Sequence, residues 1–175
     1  MLIPRVVVAL AVLGLGACEP TAPITQPSIE ASSDVRTLIS GVATVHDGDT
    51  IKFDGMRVRI WGVDAPEGLQ ACGENMPGDA ATEALRQLAE GRRVDCVMVD
   101  YDGKNRRPNA ICTASNIDLG QRMVEQGWAW DYPEYSKGKY GEAQRTAEAA
   151  GIGVHRLGCE LPWVWRQNDK AGGGQ

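Results

Sequence analysis

Residues 37–67 read TLISGVATVHDGDTIKFDGMRVRIWGVDAPE. β-Branched and aromatic residues recur here in partial alternation, and Asp54-Gly55 stands between TIKF and MRVRI. An Asp-Gly pair between two such runs signals a two-residue hairpin turn, because both central positions need positive φ. Residues 38–63 are therefore expected to hold three antiparallel strands. Two more are expected in RRVDCVMV (92–99) and PNAICTA (108–114), with the polar, glycine-containing DYDGKNRR between them as a mobile loop.

Helical patterns fill the gaps. GDAATEALRQLAEG (78–91) starts with Asp79 as a capping residue, places Ala81, Leu85 and Leu88 on one face and stops at Gly91. DLGQRMVEQG (118–127) has Asp118 and Gln121 at capping-box spacing with Gly127 as terminator, and GKYGEAQRTAEAAG (138–151) aligns Ala143, Ala147 and Ala150. Three strands, a helix, two strands and two helices is the order expected of an α+β fold, a five-stranded OB-type β-barrel with three packed α-helices.

The chain has 175 residues, 43% of them hydrophobic, enough for one domain with a real core. Residues 1–17 carry Arg5 and then the apolar run VVVALAVLGLGA, shorter than the roughly 20 residues a membrane span needs, and read as a signal peptide. LGAC (15–18) looks like a lipobox in which Cys18 is acylated after cleavage, the rival being an ordinary cleavage site with an incidental cysteine. Residues 18–36, rich in Pro, Ser and Thr, read as a lipid-anchored flexible linker, residues 37–166 as the folded domain and residues 167–175 as a disordered tail. The expectation is an exported cell-envelope lipoprotein, touching the membrane only through its anchor.

Cys72, Cys96, Cys112 and Cys159 remain. An even number in an oxidising compartment favours two disulfides, and zinc is discounted because no CxxC pair exists. Cys96 and Cys112 fall in strands that a short connection makes neighbours, so they are paired; Cys72 and Cys159 are left for each other, tying the loop after APEG to the C-terminal segment.

A formal net charge of −5 argues against tight nonspecific binding of nucleic acid over a broad basic surface. It leaves room for a small basic cleft built from Arg57, Arg59, Arg92, Arg93, Lys104, Arg106 and Arg107. Charge also sits where a buried strand should run. The hairpin carries HDGDT (46–50) alongside the arginine-bearing strand, so Asp49 and Asp64 can meet at one end of the barrel, where two carboxylates and a backbone carbonyl suit a hard cation such as calcium. Glu67, just past Pro66, projects near the same spot. Taken singly, DGD reads as an Asx-type turn and VDAPE as a strand end with Asp64 capping and Glu67 solvated.

DGDT, RVRIWGVDAPE and Arg107, in that order and spacing, resemble the staphylococcal nuclease (thermonuclease) family over about residues 37–166; MVEQGWAW, EYSKGKYGEAQRTAEAAG and PWVWR look similar to its secreted bacterial members. The resemblance implies a barrel with three helices that hydrolyses DNA and RNA phosphodiesters with calcium, the 5′-oxygen leaving to give 3′-phosphate ends. Asp49 and Asp64 match the calcium carboxylates and Ala65 the position that offers its carbonyl. Glu67 matches the general base and Arg59 the first phosphate-binding arginine. Counting back from PNAIC puts the second arginine at Arg107, with Arg106 as competitor. Asn105 and Arg106 stand where the family's Asp-x-Tyr-Gly-Arg loop has tyrosine and glycine. Lys104 matches a basic position near the incoming strand, and Tyr132, with Tyr135 as second candidate, the aromatic that stacks on a nucleotide. Trp128, Trp163 and Trp165 are assigned to packing. A monomer is expected. The rival readings are a catalytically weak OB-fold binding module for nucleic acid or an envelope partner, and a structural lipoprotein without ligand.

Overall fold

The computed structural model describes residues 37–172. The expected signal peptide, the lipidation site Cys18 and the linker through residue 36 lie outside the described residues. The first strand is broken at Ala43 into β1 (Leu38–Val42) and β2 (Thr44–Asp47), and β3 (Thr50–Phe53) and β4 (Met56–Ile60) follow. Asp54 and Gly55 join β3 to β4 with φ of 45° and 85°, the left-handed conformations expected of an Asp-Gly hairpin. β5 (Val63–Asp64) is short, and α1 (Pro77–Ala89) crosses to β6 (Arg93–Asp102) and β7 (Arg107–Ala114).

The sheet runs β1-β6-β7-β4-β3-β2, and its one parallel pairing is β4 with β7. Its two outer strands are halves of one bent strand: β1 pairs with β6 while β2 pairs with β3. The sheet therefore curls round on itself, the OB-like arrangement of an α+β fold. Its inner face buries Ile51, Val58, Ile60 and Val94 against Leu85 of α1 and Leu119 and Met123 of α2 (Leu119–Glu125). Each such side chain contributes about 1.5–3 kcal/mol by leaving water.

The remaining elements are small. β8 (Ile117–Asp118) pairs with β7, and β9 (Trp130–Asp131) pairs with β5. α3 (Pro133–Ser136), α4 (Gly141–Ala150), a 3₁₀ turn at Gly153–Arg156 and α5 (Pro162–Gly172) complete the described chain. Both disulfides form as expected. Cys96 and Cys112 sit opposite each other in β6 and β7, and Cys72 bridges to Cys159, 87 residues away.

Several local expectations need correction. Half of the polar stretch 100–107 is strand: past a register shift between Met98 and Asp100, β6 continues to pair Asp100 with Asn109 and Asp102 with Arg107, leaving a four-residue turn. Asp79 does not cap α1, because Pro77, pre-set in φ, already opens the helix and Asp79 lies in its first turn. Asp118 does cap α2, accepting from the Gln121 N–H at 3.1 Å. Ala143 and Ala147 are buried under α4, but Ala150 is exposed at its end. Where a disordered tail was expected from residue 167, α5 continues through Gly172; with the short α3 it brings the three expected helices to five among the described residues.

Candidate active site

The site begins with a turn that only glycine permits. A β-carbon on Gly48 would stand 2.7 Å from the Ala65 Cβ and 2.9 Å from the Ala81 Cβ, so the DGDT turn lies directly against both the VDAPE segment and α1. The Asp47 carboxylate accepts from the Asp49 N–H at 3.2 Å, the Asx-type turn that DGD suggests. That turn delivers Asp49 to the site: its Oδ1 accepts from the Thr50 hydroxyl at 2.9 Å and its Oδ2 from the Ala65 N–H at 3.3 Å.

β3 and β4 pair Thr50 with Arg59, which puts the arginine beside Asp49. One guanidinium nitrogen, Arg59 Nη2, contacts Asp49 Oδ2 at 2.7 Å and also pairs with Asp64 Oδ1. The two aspartates thus converge on a single atom. Asp64 is fully buried where β5 pairs with β9, and Asp49 is 6% exposed. Burial pushes the Asp64 carboxyl up, and the guanidiniums of Arg166 and Arg59 draw it back. Burial pulls Arg59 down, but Asp49 and Asp64 outweigh it and hold the guanidinium above its ordinary value. Asp47, half-buried beside Asp49, is raised from 3.8 to about 6, by burial first and then by the neighbouring carboxylate.

A cleft of about 1010 Å³ opens over this cluster. Asp49, Arg59, Ala65, Glu67, Lys104, Arg107 and Tyr132 all line it, so the expected site residues come together, with Asp64 just behind the wall. Of the two arginine candidates, Arg107 lines the cleft from the start of β7, whereas Arg106, at φ 52° in the turn before it, is exposed and does not. Burial, then the like charge of Arg59, lowers the Arg107 guanidinium from its ordinary value. Lys104 and Tyr135 are at the rim.

Three features had escaped the sequence reading. Arg166 of α5 contacts Asp64 Oδ1 at 3.0 Å, Asp64 Oδ2 at 2.7 Å and Glu67 Oε1 at 2.6 Å. Gln70, fully buried, accepts from the Glu67 N–H at 3.2 Å and donates to the Glu160 carbonyl at 2.6 Å. Trp163, assigned to packing, lies flat against Tyr132, ring centroids 4.5 Å apart. The one available signal was the Cys72–Cys159 pairing, which already carried the chain leading to residue 166 back to the loop after Glu67.

The donor set suits a hard divalent ion. Two carboxylates that share one guanidinium nitrogen are placed to share a cation, and oxygen ligands are what calcium prefers. Among the described residues no group of three His, Cys, Asp or Glu side chains could hold a metal. Such an ion would therefore complete its shell with backbone carbonyl and water, as calcium commonly does.

The class that this arrangement defines is a curled OB-like fold that carries an acidic pair and several guanidiniums at one cleft. The staphylococcal nuclease homologue family model matches residues 57–154, more than half of the chain, and the chain belongs to that family. It is 34% identical over 124 residues to the succinoglycan biosynthesis protein ExoI of Rhizobium meliloti, a match covering 67% of this chain and 65% of that protein, just under two thirds of its length. An uncharacterized endonuclease of Haemophilus influenzae is 30% identical over 74% of this chain and 73% of its own. A micrococcal nuclease of Shigella flexneri is 29% identical over 82% of this chain and 87% of its own.

Proposed function

We propose that this protein is a calcium-dependent endonuclease that hydrolyses phosphodiester bonds of DNA and RNA and leaves 3′-phosphate ends. The observation that carries the reading is the convergence of Asp49 and Asp64 on Arg59 Nη2, at the wall of a cleft that Glu67 and Arg107 also line. Membership of the family, and relatives named endonuclease and micrococcal nuclease, support it.

Asp49, Asp64 and the Ala65 carbonyl would hold the calcium ion, which when bound supplies Lewis-acid polarisation of a phosphate oxygen. The other steps belong to the chain. Arg59 and Arg107 offer planar N–H forks to the phosphoryl oxygens and offset the charge that accumulates there as water attacks. Glu67 orients that water and takes its proton, and the 5′-oxygen departs. Lys104 and Tyr132 guide the strand, the tyrosine with a face that tolerates any base. Export as a lipoprotein anchored through Cys18, with a monomeric folded part, completes the proposal; two disulfides fit an oxidising compartment.

Incubating the purified protein with single-stranded DNA in calcium, in chelator, and as Glu67→Gln tests this. The expected result is cleavage in calcium, none in chelator, and a rate about 100-fold or more lower in the variant, with products that a 3′-phosphatase converts to free 3′-hydroxyls. Intact DNA under every condition would support the binding module instead.

A further inference from the structure

The PWVWR segment at residues 162–166 has no part in the mechanism proposed for Asp49, Arg59, Asp64, Glu67 and Arg107. Pro162 opens α5, and Trp163 and Arg166 are three residues apart, neighbours on one helical face. Both contact residues of the site: Trp163 stacks on Tyr132, and the Arg166 guanidinium holds Asp64 with both nitrogens while Nη1 also holds Glu67. The approach to α5 is fastened to the loop that carries Glu67 by the Cys72–Cys159 bridge and by Gln70. Covalent bond, buried amide and guanidinium thus act between the same two segments.

A planar fork that grips a carboxylate side-on fixes its plane as well as its position. Asp64 and Glu67 are like charges around one cleft; without a counter-charge between them, repulsion and hydration would turn the half-exposed Glu67 outward. We propose that Arg166 is a positioning residue of this site: it holds the Glu67 carboxylate in a fixed relation to Asp64, so that the group orienting water and the group holding the cation keep one geometry. The proposal rests on the nuclease reading and adds a third guanidinium, delivered from α5. Because Arg166 draws on the same Asp64 oxygens that a cation would use, its removal leaves cation affinity unchanged or tighter while slowing turnover.

The test uses the full-length protein and the variants Arg166→Gln, Arg166→Lys and Arg166→Ala, with kcat and KM on single-stranded DNA and calcium affinity by titration calorimetry. For Arg166→Gln, kcat is expected to fall about tenfold to 100-fold, the range seen when an orienting partner is lost, with KM within about threefold. Arg166→Lys, which keeps the charge should the neutral variant unfold, is expected to lose as much, since one ammonium cannot span three carboxylate oxygens. Guanidinium chloride at a non-denaturing concentration should restore part of the Arg166→Ala rate where sodium chloride at equal strength does not. An active parent with kcat unchanged in both Arg166→Gln and Arg166→Lys would overturn the proposal, and so would a rate loss matched by weaker calcium binding. Absence of cleavage by the unsubstituted protein is instead failure of the nuclease reading, and takes this proposal with it.

Discussion

Asp47 shows how closely charge is rationed at this site. It sits beside Asp49, it is half-buried, and its carboxyl is raised to about 6 from 3.8. The folded state therefore holds this proton more tightly than the unfolded chain does. The stabilisation is complete below about pH 4, disappears as pH rises through 6, and above that leaves a buried charge that disfavours the fold. Asp47→Asn removes the charge and keeps an oxygen to accept from the Asp49 N–H. In chelator, thermal denaturation should show the variant more stable than the parent at pH 8, by an amount on the order of 2–3 kcal/mol, and no more stable at pH 4. A stability difference that does not vary with pH would refute the assignment. Asp64, buried deeper, is also raised, and Arg59 and Arg166, which both face it, offset only part of the cost of burying its charge.

The elements divide by how much of their cause is local. The Asp54-Gly55 turn, the Asp118 cap of α2 and the opposition of Cys96 to Cys112 each depend on a few neighbouring residues, and each was legible in the sequence. The extension of β6 to Asp102 was not, because its polar end is held by cross-strand pairing to β7 and carries no apolar alternation. Nor was α5: its position is set by a disulfide spanning 87 residues and by Arg166 contacts to residues about a hundred positions upstream. The carboxylates and Arg59 could be read because one hairpin and the strand after it bring them together; Arg166 could not, because nothing near it in sequence is its partner. The bridge makes a prediction at this scale. Cys72→Ser with Cys159→Ser removes the covalent half of the fastening, so amide exchange in α5 should accelerate while β6 and β7, held by their own disulfide, keep their protection. Equal acceleration in both regions would mean that the bridge stabilises the whole fold and does not specifically hold α5.

Over the whole molecule, a net charge of −5 coexists with a cleft edged by Arg59, Lys104, Arg107, Arg166 and Lys170. On the proposed reading a polyanion enters at this cleft, whose lining also carries Asp47, Asp49, Glu67, Asp100 and Asp102, and binding through so few phosphate contacts should depend only modestly on salt. The curled sheet makes this possible: the DGDT turn, the end of β4 and the start of β7 all come to one end, and α5 closes that end from outside. The proposed function requires that the two aspartates meeting on Arg59 accept a cation. Titration calorimetry of calcium into the full-length protein, alongside Asp49→Asn, addresses that requirement most directly. A single site is expected in the parent, weakened about tenfold to 100-fold or lost in the variant. No calcium binding by the parent, or equal binding by both proteins, would contradict it.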